Sequence, residues 1–149
     1  GGERVLDVGC GSGVLAIAAV RLGAGAAVGI DVDSAAVAAT RANADRNGVG
    51  RRLAVVEGDA AAGAASSGPY DLVVANMLAS ELGAVAPAVA AALAPGGVAV
   101  LAGLLEEQRA GVLAAYRAVG LEPVGEPGTD EGWTALVLSD VSRQIAREV

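Results

Sequence analysis

The sequence lacks several side chains on which enzymes commonly depend. Its 149 residues include no histidine, no lysine and no phenylalanine, and the only cysteine is Cys10. Without histidine, both a Ser-His-Asp triad and a histidine general base are excluded. A single cysteine excludes an internal disulfide and a thiolate zinc site, and it suits a reducing, intracellular setting. We therefore expect no metal site.

The chain also lacks a secretory signal and a membrane span. Its longest apolar run, residues 82–105, is interrupted by Pro87, Pro95 and the Gly96-Gly97 pair. That run falls well short of the ~20 uninterrupted apolar residues that a span requires. We expect a soluble, cytoplasmic, monomeric protein that does not bind membranes.

Positive charge is scarce, and the formal net charge is −7. Neutralising nucleic-acid phosphates requires clustered basic residues, so this balance argues against direct nucleic-acid binding. An acidic protein can instead meet a basic protein partner, or its charge can simply serve solubility. We expect a basic partner.

Short β-like runs alternate with helical runs along a chain of one-domain length. Helices are expected over residues 14–22, 34–47, 80–93 (bent or restarted at Pro87) and 106–119. The predicted strands are RVLDV, AVGID, LAVVEGD, YDLVVAN, VAVLAGLL, LEPVGEP and TALVLS. This alternation predicts an α/β, Rossmann-like fold with a mostly parallel seven-stranded sheet and helices on both faces.

The end of the chain departs from that alternation. The last two predicted strands are joined only by the turn-rich GTDEG, too short for a crossover helix, so the final strand is antiparallel. We assign residues 1–149 to one domain and expect residues 140–149 to form a frayed tail.

A glycine-rich loop follows the first strand in VLDVGCGSGVLAIAAV. Gly9, Gly11 and Gly13 permit a close backbone approach to a ligand, and the following helix offers unpaired N–H groups. Such a loop lies at the carboxyl edge of the sheet, where these folds bind ligands. A plain turn would need one glycine rather than three. The spacing therefore indicates a binding loop.

The ligand of this loop is either a dinucleotide or S-adenosyl-L-methionine (SAM). Dinucleotide loops run G-x-G-x-x-G, but Val14 occupies the position of the third glycine. Asp31 ends the second strand, where its carboxylate can accept hydrogen bonds from both ribose hydroxyls. Each such bond is worth about 1.5–3 kcal/mol, so losing both should weaken binding at least about a hundredfold. Asp33 better suits the role of helix N-cap.

The loop, with Asp7 two residues before it, resembles that of class I SAM-dependent methyltransferases. The resemblance extends to about Leu138 and narrows to the ribosomal protein L11 methyltransferase (PrmA) family. It is carried by VGIDVDSAAVAATRANADRNGV, VVANMLASEL, LAPGGVAVLAGLLEEQ, VLAAYRAVGL and EGWTALVL, in that order. The family implies the Rossmann-like methyltransferase fold, SAM as cofactor, and methylation of amino groups on a basic ribosomal protein.

The same resemblance implies roles for individual residues. Asp7 would help to hold the methionine end of SAM, and Asp59 with the Ala60 backbone N–H would contact adenine. Turn chemistry alone also explains Asp59. Asn76, in an N-M-L-A segment where other amine methyltransferases carry N-P-P-[YF], would bind beside the methyl group and orient the target nitrogen. Trp133 is expected either to pack at the sheet edge or to line the acceptor site.

Members of this family also carry an amino-terminal domain that binds the ribosomal protein, and only three residues precede the first predicted strand of this chain. We therefore expect a catalytic domain that lacks the substrate-recognition region. The alternatives are a methyltransferase of another protein lysine or of a small molecule, a nicotinamide-dependent oxidoreductase, and a non-catalytic SAM-binding module.

Overall fold

The computed structural model describes residues 2–140, which form one twisted sheet with helices on both faces. The strands are β1 (Arg4–Val8), β2 (Ala26–Asp31), β3 (Leu53–Glu57), β4 (Tyr70–Asn76), β5 (Leu93–Leu105), β6 (Glu122–Pro123), β7 (Gly128–Asp130) and β8 (Trp133–Ser139). The helices are α1 (Val14–Arg21), α2 (Ser34–Arg46), α3 (Ala60–Ser67), α4 (Ala79–Ala84), α5 (Ala86–Ala92) and α6 (Arg109–Arg117), with a 3₁₀ turn at Glu106–Gln108 before α6.

The sheet has the order β3-β2-β1-β4-β5-β8-β6, with β7 paired to β8. The first five strands are parallel, whereas β8 is antiparallel to β5 and to β6. This confirms the predicted mostly parallel α/β fold and its antiparallel end. Strands β2 and β3 are added on one side of β1, whereas β4 and β5 are added on the other. The order of strands therefore reverses at β1, and such sheets bind ligands in the crevice at this switch point.

The alternation of side chains along β1 divides the core between two faces. Val5 packs with α1 and α2, in a cluster that includes Ile17 and Val20. Leu6 and Val8 point to the other face, in the larger cluster that contains residues of α4, α5 and α6. Successive residues of a strand point to opposite faces, so a strand buried on both sides is expected to be largely apolar, and in RVLDV the exceptions are Asp7 and Arg4, the half-buried first residue. Asp7 is the one carboxylate within it.

Several details differ from the prediction. Helix α3 is absent from the predicted elements, and the segment predicted as a single connection contains β7, so the sheet has eight strands. The strand predicted over LEPVGEP shrinks to Glu122–Pro123. The expected restart at Pro87 is confirmed, because the predicted helix is divided into α4 and α5 and Pro87 lies in the first turn of α5, where its missing N–H costs nothing.

The predicted frayed tail lies, apart from Asp140, outside the described residues. Within residues 2–140, no helix combines the length and the apolar character needed to cross a bilayer.

Candidate functional site

The loop between β1 and α1 has a backbone conformation that requires glycine at three positions. Gly9, Gly11 and Gly13 all have positive φ, at 68°, 56° and 82°. Gly13 is also closely packed, because a Cβ there would lie 2.6 Å from Cγ2 of Thr40. Real Cβ atoms do not approach this closely, so the turn into α1 requires glycine for space as well as for conformation.

The neighbouring strand β2 holds one side of this loop. The backbone N–H groups of Gly9 and Cys10 both donate to the Ile30 carbonyl, at 2.9 and 3.0 Å. The Gly11 N–H donates to Oδ2 of Asp31 at 2.9 Å. These hydrogen bonds therefore hold the loop against the end of β2 without any contribution from a ligand.

Helix α2 holds the other side of the loop through two side chains that the sequence analysis does not identify. The Thr40 hydroxyl donates to the Gly11 carbonyl at 2.9 Å, and Nδ2 of Asn43 donates to the Ser12 carbonyl at 2.8 Å. Their spacing of three residues places them on one face of the helix. Two polar residues so spaced in an alanine-rich helix are the signal that could have found them.

Asp31 lines a cavity and is held by backbone donors on both oxygens. Oδ2 accepts from Gly11, and Oδ1 accepts from the Asp33 N–H at 3.0 Å. A carboxylate oxygen has two acceptor positions, so each oxygen retains one for a ligand hydroxyl. Asp33 itself caps α2, with its Oδ1 accepting from the Ala35 N–H at 2.8 Å. The prediction that Asp33 is the N-cap of this helix is therefore confirmed.

Asp7 lies beneath the loop rather than in the cavity. Only 1% of its surface is exposed, and its Oδ2 accepts from the Ala16 N–H in the first turn of α1 at 3.1 Å. Burial raises the pKa of Asp7 to about 7, and the nearby charge of Asp31 adds to the increase. Gly11 and Gly13 are likewise absent from the cavity lining. These three predicted residues therefore lie outside the lining of this cavity.

The cavity has a volume of about 420 Å³, within the range of small-molecule sites. It lies where the carboxyl ends of β1, β2 and β4 meet, and the charged side chains that residues 2–140 contribute to its lining are all acidic. They are Asp31, Asp59 and Glu81. The rest of the lining is Val8, Gly9, Ile30, Val32, Gly58, Ala60, Asn76, Met77, Ala84 and Val85. Such a lining suits a ligand with an apolar body, hydroxyl donors and a positive charge.

Asp59 and Ala60 lie where β3 leads into α3. Asp59 is the N-cap of this helix, with Oδ1 accepting from the Ala62 N–H at 2.9 Å. Both residues also line the cavity. Turn chemistry therefore accounts for the position of Asp59 but leaves its second oxygen for a ligand.

A second cavity of about 520 Å³ lies beside the first, and Asn76 lines both. Its other lining residues come from β5 and from the β7–β8 hairpin. They are Ala102, Gly103, Gly128, Thr129, Asp130, Trp133, Thr134 and Ala135. Trp133 is 56% exposed, so it contributes an open aromatic surface here instead of packing into the sheet edge.

Comparison with known proteins agrees with this geometry. The sequence model of the ribosomal protein L11 methyltransferase (PrmA) family matches residues 1–140. A ribosomal protein L11 methyltransferase of Thiobacillus denitrificans is 45% identical over 137 residues, which are 92% of this chain and 44% of that protein. One from Dechloromonas aromatica is 53% identical over 112 residues, 75% of this chain and 36% of that protein.

A solved structure of ribosomal protein L11 methylase from Lactobacillus delbrueckii subsp. bulgaricus superposes with a TM-score of 0.85 at 29% identity. The match covers 93% of this chain and 70% of that one. The chain thus spans less than half the length of the curated relatives named above. The match across residues 1–140, the sheet order and the glycine loop together show that the chain belongs to the ribosomal protein L11 methyltransferase (PrmA) family.

Proposed function

We propose that this chain is the catalytic domain of a methyltransferase that uses SAM to methylate amino groups of ribosomal protein L11. The observation that carries the proposal is the position of Asn76, which lies at the end of β4 and lines both cavities. A group in that place can touch a cofactor on one side and an acceptor on the other. The names of the relatives support the choice of substrate.

We propose that the first cavity binds SAM, because its lining offers hydrogen-bond acceptors for the ribose hydroxyls. Asp31 offers one remaining acceptor position on each oxygen to the two ribose hydroxyls, and the two backbone donors hold it in place. Asp59 and the Ala60 N–H are proposed to contact adenine. The acidic lining favours a cationic sulfur over a neutral one. Asp7 contributes through the loop above it, because its carboxylate is buried away from the cavity.

The second cavity is proposed to receive the acceptor amine. Among residues 2–140, Asp130 is the charged residue of its lining, and Trp133 presents an exposed aromatic ring. A carboxylate and an aromatic face both attract an ammonium group, with cation–π attraction worth about 0.5–1 kcal/mol at exposed sites. A lysine side chain or an amino terminus has the right charge and length for this cavity.

When bound, SAM supplies an electrophilic methyl group on a positively charged sulfur. The acceptor nitrogen must arrive neutral and in line, about 3–3.5 Å from the methyl carbon. A lysine of pKa about 10.4 requires about 4.6 kcal/mol to lose its proton at pH 7. With no histidine in the chain, we propose that burial and the nearby positive charge lower the amine pKa, and that water takes the proton. The Asn76 side-chain oxygen then accepts an N–H bond from the amine and orients its lone pair.

The net charge of the chain bears on the kind of partner that it meets. With a net charge of −7, the protein suits a basic ribosomal protein better than RNA. We propose that it acts as a monomer in the cytoplasm and recognises free L11 without direct nucleic-acid contact. An analytical ultracentrifugation run of enzyme with and without L11 measures both the monomer and the complex.

The test uses the longest natural polypeptide that contains this chain, with methyl-labelled SAM and purified L11. Asn76→Ala should lower kcat about a hundredfold, because a misplaced acceptor loses most of the benefit of orientation. The affinity for S-adenosylhomocysteine, measured by calorimetry, should change less than about threefold. Asn47→Ala is the matched control, since the Asn47 side chain, directly after α2, donates to the Asn43 carbonyl and makes no other hydrogen bond among residues 2–140.

Two results would overturn the proposal. Label transfer to a different protein or to a small molecule, with none to L11, would reject the substrate. Tight binding of S-adenosylhomocysteine without any methyl transfer would identify a non-catalytic binding module instead.

A further inference from the structure

Gly103 lies in β5 where that strand passes the end of β4. Its φ is +86°, and the pairing of β5 with β8 shifts register between Leu101 and Leu104 around it. On the other side, the Met77 N–H donates to the Ala102 carbonyl at 3.2 Å. The backbone of β5 therefore bends at Gly103 while it remains bonded to the chain just after Asn76.

This bend brings Gly103 against Asn76 with no room for a side chain. A Cβ at Gly103 would lie 2.6 Å from the side-chain oxygen of Asn76 and 2.6 Å from the Met77 carbonyl oxygen. The Asn76 side chain could rotate away, but the Met77 carbonyl belongs to the backbone. A substituent at Gly103 must therefore shift the backbone of β5 or that of Met77, the residue directly after Asn76.

We propose that Gly103 is a positioning residue for methyl transfer, because the absence of a Cβ there sets where the Asn76 amide lies between the two cavities. The inference rests on the proposed role of Asn76. Gly103 lines the second cavity but offers no polar side chain, so it acts on the reaction only through its neighbour. Strand β5 thus determines the position of the Asn76 amide, which is proposed to contact the acceptor amine.

The test compares two glycine-to-alanine variants of the longest natural polypeptide that contains this chain. Gly120, after α6, has the same φ of +86°, and a Cβ there would have no neighbouring atom within 4 Å, so Gly120→Ala reproduces the backbone strain without the contact. Gly103→Ala should lower kcat about a hundredfold relative to Gly120→Ala. KM for SAM and the affinity for S-adenosylhomocysteine should stay within about fivefold. Equal kcat values in the two variants would overturn the inference.

A double variant separates positioning from general damage. In the Asn76→Ala background no amide remains to be misplaced, so adding Gly103→Ala should lower kcat by less than about threefold. Losses that multiply would show that Gly103 acts independently of Asn76, and the inference would fail.

A measurement on the unmodified protein covers the case in which Gly103→Ala does not fold. NMR should show nuclear Overhauser contacts between the α protons of Gly103 and the side-chain protons of Asn76. Their absence would overturn the inference. This readout needs no turnover, so an enzyme that methylates nothing would refute the proposed function while leaving the positioning of Asn76 separately measurable.

Discussion

Replacing Asp7 by asparagine should stabilise the protein at alkaline pH and change little at acidic pH. Asp7 is 1% exposed, and burial raises its pKa from 3.8 to about 7. A difference of that size corresponds to about 4 kcal/mol, at 1.36 kcal/mol for each factor of ten in proton affinity. An asparagine side chain keeps an oxygen that can accept from the Ala16 N–H, and it carries no charge to bury.

The direction of the pH dependence follows from which state holds the proton. Between about pH 4 and pH 7 the folded protein keeps Asp7 protonated while the unfolded chain has lost that proton. The unfolded state then binds fewer protons, so the contribution of Asp7 to the free energy of unfolding falls as pH rises across this window. Below about pH 4 the contribution is greatest, and above about pH 7 it has been lost.

Urea unfolding of both forms at pH 5 and pH 8.5 measures this effect. The stability gained by Asp7→Asn should be larger at pH 8.5 than at pH 5 by about 2.7 kcal/mol, because only the two pH units between pH 5 and the folded-state pKa of about 7 contribute to this comparison. Glu107→Gln, at an exposed carboxylate, should change the free energy of unfolding by less than about 0.5 kcal/mol at either pH. If Asp7→Asn destabilised the protein equally at both pH values, the reasoning about its buried charge would be refuted.

Two further substitutions test other parts of the structure. Thr40→Val removes the hydroxyl that donates to the Gly11 carbonyl, a bond worth about 1 kcal/mol, and should weaken S-adenosylhomocysteine binding several-fold by calorimetry; unchanged affinity would show that the loop does not need this bond. Tyr116→Phe removes a hydroxyl that is buried without a hydrogen-bond partner among residues 2–140, so the free energy of unfolding should stay the same or rise by about 1 kcal/mol. A loss above about 1 kcal/mol in urea unfolding would reveal a partner.

Much of the fold could be predicted because the apolar periodicity of each segment agrees with the turn and capping residues at its ends. YDLVVAN is β4 residue for residue, and Asp33 begins α2 as a cap should. Helix α3 escapes prediction when Asp59 is interpreted as a ligand contact, although an aspartate before an alanine run also signals a helix start. β7 escapes it because three exposed residues rich in turn formers carry no apolar alternation.

The position of a candidate site residue could be predicted where that residue ends a strand, and less well elsewhere. Asp31 and Asn76 end parallel strands, so topology alone brings them to one edge, and both line the first cavity. Thr40 and Asn43 reach the loop only through the packing of α2, which the sequence does not reveal. The depth of Asp7 was equally hidden, because a carboxylate within an apolar strand is compatible with either a ligand contact or a buried support.

The antiparallel end of the sheet determines at which edge of the sheet Trp133 lies. In a parallel strand the last residue lies at the carboxyl edge, but β8 runs the other way, so its first residue, Trp133, lies there beside Leu105 at the end of β5. The β7–β8 turn therefore lies at the carboxyl edge of the parallel strands, as the glycine loop does. Reversal of one strand thus places an aromatic ring and Asp130 opposite Asn76, and a parallel final strand would have carried both to the far side of the molecule.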